Sequence, residues 1–501
     1  MQIHSLINFV NHRNSALLLF TVLCCLFLNP VVTGNEEIYL GWAKSYYDPD
    51  WLPNSFVYDH WVGHRYVFEL FFGFLLSHLS FEAVVMIGRV MAAAAMAFSL
   101  SRLFRQINFT NLESLLVVLV FISIGQNFVP GEWIFMSIES KVFAYPLIFL
   151  SLTELLKGNP RRSALYIVGA TYFHVLAAGW FFMYFLIYLL WTRTQFLDVA
   201  RVFAIYVAGT LPLTVYLAPQ VFSGPSDVGG IHLNWIYVFY RIPNLAPFVE
   251  GKLNTAANWE AQRILTVAVC FVLAIFWHRR NETPEKIKFF SHFIIIIGAF
   301  FFTFLVAAYF DRSGDLLKFR PFRGASLFTL FVLIEIVIFA KFKFTSPKAQ
   351  TLVSHLSMAT LAVLFVYGTG RNLNEKYIDT VFFPDEKKLA WREVTSFAKN
   401  QTERQAVFLI KGIPESVSWT FSRNANRDVF VLKKFVPIDK NKWHEWYQRL
   451  HVRVENEAQM ADLRKKYKLD YYITTPSRPR IGKVVFENSR YVISHLPDPG
   501  L

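Results

Sequence analysis

The chain has 501 residues, 54% of them hydrophobic, with 52 phenylalanines and a formal net charge of +14. Apolar runs long enough to cross ~30 Å of hydrocarbon recur through its first three quarters, which excludes a soluble globular protein and predicts a polytopic α-helical membrane protein. The basic excess suits loops that set topology and meet anionic headgroups, not nucleic acid. Cys24, Cys25 and Cys270 all lie in apolar stretches, so neither a disulfide framework nor a zinc site is implied.

Taken in chain order, the predicted spans are 15–33, 66–80, 82–100, 112–128, 142–156, 163–175, 177–191, 198–218, 262–277, 289–310, 322–340 and 350–367. That pattern predicts about 11 to 13 crossings. The first run, after His12-Arg13 and before Asn29-Pro30, has the look of a signal peptide. With further spans following, it reads instead as an uncleaved first helix. The pair 163–175 and 177–191 meets around His174 and suits two half-helices, which membrane depth tolerates only against protein or a cavity. Basic loops at Lys157 to Arg162, His278 to Lys288 and Lys341 to Lys348 belong in the cytoplasm by the positive-inside rule. The opposite face then carries 129–141, 219–258, 311–321 and everything after about Gly368.

From Arg371 the composition changes to shorter, alternating runs. Val407 to Lys411, Asp428 to Leu432, Asp470 to Thr474, Lys483 to Phe486 and Tyr491 to Ser494 read as strands, with Glu487 to Arg490 as the turn of a final hairpin. Residues 387–399, 441–453 and 456–467 read as amphipathic helices. The expected organisation is a transmembrane domain over 1–370, with a first non-cytoplasmic loop at 34–65, and a small non-cytoplasmic α/β domain over 371–501. No repeat or low-complexity tract is evident.

The polar residues near the spans carry the functional signal. After the first span come Asn35-Glu36-Glu37-Ile38-Tyr39, Asp48-Pro49-Asp50-Trp51, Asp59-His60-Trp61 and His64-Arg65. Ionisable groups at a bilayer boundary are costly unless they have partners or work, so this cluster marks a site. Glu36 or Glu37 could serve as general base toward an acceptor hydroxyl, or simply as first-turn acids of a juxtamembrane helix. His64 and Arg65 suit a phosphate oxyanion near the headgroups, and interfacial snorkelling of Arg65 is the competing account.

Glu132, Glu139 and Lys141 stand between two apolar runs and must pair or face water. His174, beside Tyr172 and Trp180, is a ligand contact or a satisfied core residue. The 220–260 stretch, with Trp235, Tyr240, Arg241 and Trp259, suits a cover over a sugar or an interfacial aromatic belt. Lys318, Arg320 and Arg323 precede a late span, and with Pro321 fixing the turn, two guanidiniums could converge on one phosphate. Headgroup anchoring is the plainer alternative. No P-loop, GxSxG, HExxH or nucleotide fingerprint occurs, which argues against a nucleotide-driven pump and a serine hydrolase.

Taken together, these motifs resemble the GT-C superfamily of integral membrane glycosyltransferases, in particular a bacterial branch. The resemblance rests on Asn35-Glu36-Glu37-Ile38-Tyr39-Leu40 with Asp48 to Trp51, His64-Arg65, Gly88-Arg89, Glu139-Ser140-Lys141 leading into Ala144-Tyr145-Pro146, and His174 in Tyr-Phe-His-Val-Leu. Leu317 to Arg323 adds a late arginine motif. The block from Trp391 through Trp419 to Arg423, Glu445-Trp446-Tyr447, Asp470-Tyr471-Tyr472 and Tyr491 is similar to an appended α/β domain of that branch.

The resemblance implies a polyprenyl-phosphate-linked sugar donor, an acceptor that is a glycan, lipid or protein, the bilayer as surroundings and no nucleic acid. It implies inverting transfer on the non-cytoplasmic side of a bacterial inner membrane. Glu36, with Glu37 beside it, would be the base. Arg320, Arg323, Lys318, His64, Arg65 and Lys141 would hold the donor phosphate. His174, Glu139, Tyr39, Asp59 and Arg241 would contact substrate. A divalent metal is compatible with the superfamily, although no ligand set stands out. A transporter or flippase of lipid-linked glycans, or a non-catalytic envelope assembly protein, are the competing functions.

Overall fold

The computed structural model describes residues 15–58, 65–130, 132–222, 227–280, 283–382 and 384–496. It is an integral membrane protein of the helical kind with a small C-terminal α/β portion. Among the described residues, six helices are long and apolar enough to cross a membrane by length and composition: Phe81–Gln106, Phe196–Pro219, Ala261–Arg279, Glu285–Phe310, Leu317–Lys343 and Pro347–Phe382. Four shorter apolar helices, Ser15–Phe27, Tyr66–Leu76, Asn111–Ser123 and Val175–Trp191, accompany them.

In chain order the helices are α1 (Ser15–Phe27), α2 (Gly34–Tyr47), α3 (Tyr66–Leu76), α4 (Phe81–Gln106), α5 (Asn111–Ser123), α6 (Ser140–Leu156), α7 (Pro160–Phe173), α8 (Val175–Trp191) and α9 (Phe196–Phe222). After two small hairpins follow α10 (Ala261–Arg279), α11 (Glu285–Phe310), α12 (Ala325–Lys343) and α13 (Pro347–Asn372), the last continuing as a π-helical stretch to Phe382. The chain divides into two compact units. The first comprises the chain through Leu28, Gly88–Pro219 and Tyr237–Asn372. The second comprises Asn29–Ile87, Gln220–Ile236 and the chain from Leu373 onward.

Sequence expectations need local correction. The stretch 34–65 is not all loop, because α2 occupies its first part. Its start is chemically written: Thr33 and Glu36 form a capping box, with the Thr33 backbone N–H donated to Glu36 Oε2 at 2.7 Å. The span expected to reach 33 ends at Phe27, ahead of Asn29-Pro30, where proline removes a donor and resists helix. Nor is the 220–260 stretch structureless. It holds the hairpins β1 (Asp227–Val228) with β2 (Ile231–His232) and β3 (Phe248–Val249) with β4 (Lys252–Leu253), and between them a π-helical turn, Ile236–Arg241.

In the first unit α6 packs on α7, α10 on α11, α11 on α12, and α13 on α5 and α1. Phenylalanines fill the contacts: Phe181 stacks on Phe293 at 6.1 Å, and Phe293 and Phe290 both meet Phe331. Helices α7 and α8 are separated by one residue, His174, whose extended backbone (φ −153°, ψ 98°) interrupts the helical ladder.

In the second unit α2 packs on α3. There too the C-terminal portion builds a five-stranded mixed sheet of order β6-β5-β7-β9-β8. The strands are β5 (Val407–Ile410), β6 (Asp428–Val429), β7 (Tyr471–Thr474), β8 (Lys483–Glu487) and β9 (Val492–His495). β5 runs parallel to both neighbours, while β9 is antiparallel to β7 and β8. β7 is buried along its whole length, as befits a central strand covered on both faces. Only Asp428–Val429 of the expected 428–432 strand joins the sheet, since the chain folds back in a bridge between Leu432 and Phe435. Helices α14 (Glu386–Gln401), α15 (Trp443–Leu450) and α16 (Glu457–Tyr467) surround it. Asp385 and Asn456 cap α14 and α16 by accepting the N–H of Lys388 and Gln459.

Candidate functional site

In the first unit, Glu132 collects three cations. Its Oε2 lies 3.0 Å from Lys141 Nζ, and its Oε1 lies 2.8 Å from Arg323 Nη2 and 3.9 Å from Arg320 Nη1. Lys141 also sits 3.5 Å from Glu139 Oε2 and 3.7 Å above the Trp133 ring. Glu132, Arg323, Lys141, Glu139 and His174 are all buried. Burial acts to raise the Glu132 carboxyl, yet Arg323, Lys141 and Arg320 together hold it below the ordinary carboxylate range. Three cations against two carboxylates leave the group one positive charge in excess.

His174 joins the cluster through its Nε2, 2.8 Å from Arg323 Nη1. A guanidinium can only donate, so Nε2 accepts and the ring proton belongs on Nδ1. The 3.3 Å approach of the Ala177 N–H to Nδ1 is then a packing contact, not a hydrogen bond. A neutral His174 beside Arg323 is the arrangement that avoids two facing cations.

Two loops present these groups. Gln126 pins the loop between α5 and α6: its Oε1 accepts from the N–H groups of Ile134 and Phe135 at 2.8 and 2.9 Å. Asp311 shapes the other. Its two oxygens accept four backbone N–H groups, from Gly314, Asp315, Leu316 and Leu317, at 2.9–3.0 Å. The turn that follows is fastened to α8 by Trp180 Nε1, donating to the Phe319 carbonyl at 2.8 Å. Arg320 then adopts a left-handed backbone (φ 52°, ψ 59°), uncommon for a non-glycine residue and costly immediately before proline. Strain of this sort concentrates at functional sites. Arg320 Nη2 donates to Tyr237 Oη at 2.9 Å.

A narrow crevice opens on the cluster, lined by Pro130, Glu132, Asn244, Arg320, Phe322 and Arg323. Phe322 also borders a small apolar pocket among Phe128, Tyr184, Val267, Ile297 and Phe301. Cationic and apolar cavities thus share one wall.

The second unit holds the other candidates. Glu36 is fully buried and its carboxylate serves the helix cap described above. Glu37 accepts from Arg423 Nε at 3.0 and 3.1 Å, while Arg423 Nη1 bonds Glu82 Oε1. Burial pushes the Glu37 carboxyl up to about 7, and Arg423 pulls against that rise. Arg65 is buried, its guanidinium 4.3 Å from the Tyr39 ring and 5.0 Å from Trp42, with Nη1 3.9 Å from Glu69 Oε1.

Of the residues singled out from sequence, Arg320, Arg323, Lys141, Glu139 and His174 come together in one place. Lys318 does not join them: it faces Asp315 at 3.6 Å and is part-exposed. Arg241 closes the turn Ile236–Arg241 and is half-buried. Asp59 and His64 lie outside the described residues. Sequence reasoning noticed Glu132 but not that it organises the cations, and it missed Tyr237, Glu69 and Glu82. Among the described residues no group of three or more His, Cys, Asp or Glu side chains is placed to hold a metal ion.

Comparison with known proteins gives three findings. Residues 390–452 match a domain family of unknown function, DUF6798. No curated protein matches the chain. Among solved structures, it is similar to ArnT from Cupriavidus metallidurans bound to undecaprenyl phosphate, at 11% identity and a TM-score of 0.37 over 99% of this chain and 98% of that one. It is also similar to ArnT from the same organism in the apo state, at 12% identity and a TM-score of 0.40, with the same coverage.

Proposed function

We propose that this protein is a membrane glycosyltransferase that moves a sugar from a polyprenyl-phosphate donor to an acceptor hydroxyl on the non-cytoplasmic face. The observation that carries the proposal is the crevice at Phe322. A net-positive group of buried Arg323 and Lys141 with part-exposed Arg320 adjoins an apolar pocket, which suits an amphiphile with an anionic head and a hydrocarbon tail. Charge developing on a departing phosphate is best stabilised by cations already held in place in a dry setting. Arg320, more exposed than Arg323 and Lys141, is the cation of the three best placed to meet a ligand.

The bond to the anomeric carbon forms from the acceptor oxygen as the bond to the phosphate oxygen breaks. The acceptor's proton goes to a carboxylate, and the phosphate leaves with its prenyl chain. For that carboxylate we favour Glu37. Glu36 Oε2 is committed to the Thr33 N–H, whereas a carboxyl poised near neutrality can take up and release a proton at working pH.

The test is mass spectrometry of lipid-linked sugars and surface glycans in cells lacking the protein, complemented with wild type, E37Q, E36Q or R320A. Loss of one glycan product, its return with wild type, and failure of E37Q and R320A at normal expression support the reading. A product restored by E37Q rejects Glu37 as the base. An unchanged glycan profile in the deletion strain rejects the transferase.

A further inference from the structure

The C-terminal portion reaches the start of α2 at three points, all inside the second unit. Arg423, on the short helix Phe421–Ala425, donates through Nε to both oxygens of Glu37 and through Nη1 to Glu82 on α4. Lys434 Nζ bonds Asn35 Oδ1. Trp419 lies so close over Gly34 that a Cβ there would stand 2.4 Å from Cε3. Trp419, Arg423 and Lys434 all fall within the stretch matching the domain family.

We infer that Arg423 is a positioning residue, through which the C-terminal domain holds the Glu37 carboxylate in place for proton transfer. The inference rests on the reading of Glu37 as base. Its chemistry is a balance around one guanidinium. Arg423 is shared between two carboxylates, Glu37 buried and Glu82 half-exposed, so its stabilisation of ionised Glu37 is diluted. Among the described residues, Glu36 on the same helix and Tyr58, whose ring packs over Gly41 of α2, also act on Glu37. Neither is a cation. Among these groups Arg423 alone favours the charged form of Glu37, and a lone hydrogen-bonded cation at this distance is worth one to three pH units, as an order of magnitude. In this account the appended domain is a wall of the proton-transfer site and not a separate binding module.

The experiment titrates Glu37 directly in the full chain in lipid nanodiscs. The carboxyl infrared band is assigned by difference from E37Q and followed with pH, which needs no substrate. Wild type should titrate near 7. R423Q should move the midpoint up by about one unit or more, R423K should return it toward wild type, and E82Q should move it down. Glycan output in cells should follow: R423Q weak at neutral pH and recovering at higher pH. A midpoint that stays put in both R423Q and E82Q overturns the inference, and should R423Q fail to fold, an unmoved E82Q suffices. If the titration shifts as described while E37Q still makes product, the base assignment fails and the electrostatic coupling stands.

Discussion

Replacing Glu132 by glutamine tests the phosphate site from an unexpected side. The substitution keeps the shape but removes the charge that Lys141, Arg323 and Arg320 share at 3.0, 2.8 and 3.9 Å. Losing one partner of a buried ion pair costs about 3–5 kcal/mol. Here the amide also turns N–H donors toward the remaining cations, which cannot accept. E132Q should therefore unfold at a clearly lower temperature. The excess charge of the cluster meanwhile doubles, from one positive charge to two. At an effective dielectric near 20, one unit charge about 5 Å from a phosphate is worth roughly 3 kcal/mol, so affinity for polyprenyl phosphate should rise, on the order of 100-fold at most. A ligand binding the folded form 100-fold more tightly adds up to about 2.7 kcal/mol of stabilisation. Thermal unfolding with and without polyprenyl phosphate should then show a larger ligand-induced shift in E132Q than in wild type, the two midpoints drawing together at saturation. Equal midpoints without ligand, or a smaller ligand shift in the variant, would refute the reasoning.

Other outcomes follow from the same geometry. The Glu132 carboxyl is held below its ordinary 4.5, so its contribution to stability is present above that pH and lost as pH falls through the lowered value; E132Q should flatten the acid limb of a plot of unfolding midpoint against pH. Glu37 has the opposite sign: with its carboxyl raised from 4.5 to about 7, its contribution is present below 4.5 and lost as pH rises through 7, and E37Q should flatten that limb instead. D311N replaces an oxygen that accepts two backbone N–H groups with a donor, so the loop carrying Arg320 should loosen. Polyprenyl-phosphate affinity should drop about 10-fold although Asp311 is not proposed to touch ligand, in line with the cost of misplacing one charged hydrogen bond. G34A drives a methyl into Trp419 and should cost about 1–3 kcal/mol by overpacking, measured as a lower unfolding midpoint that W419A in the same chain relieves.

Much of this architecture is written locally in the chain. Period and length alone announce α14, α16 and the β8–β9 hairpin, because amphipathic spacing and a polar turn are properties of neighbouring residues. The break at His174 is legible for the same reason. What escaped was equally local in one case: Thr33-Gly34-Asn35-Glu36 carries the capping-box spacing, so the helix at 34–47 had a signature inside what reads as a charged loop. The parting of the Asp428 strand after two residues comes with a tight local reversal that bridges Leu432 to Phe435, which β-propensity does not encode.

The site divides along the same line. Arg320, Arg323, Glu139, Lys141 and His174 each attract notice as charges or imidazoles near apolar runs, since such groups need a reason to be there. Some of their pairing is local, as Lys141 with Glu139, but Arg323 meets His174 across more than a hundred residues of sequence, and that pairing converts scattered charges into a site. Lys318 illustrates the failure of proximity in sequence: two residues from Arg320, it faces Asp315 instead, three residues before it. Arg423 illustrates the converse. It lies 386 positions from Glu37, in a stretch whose composition reads as a detached soluble domain, yet its guanidinium reaches the acid next to the first helix. The Trp419–Arg423 block marks the appended domain in sequence, but the buried carboxylate that its cation meets is not legible there. The Glu37–Arg423 pair thus ties the base assignment to the C-terminal domain: the titration of Glu37 tests the coupling, and the product made by E37Q tests the base.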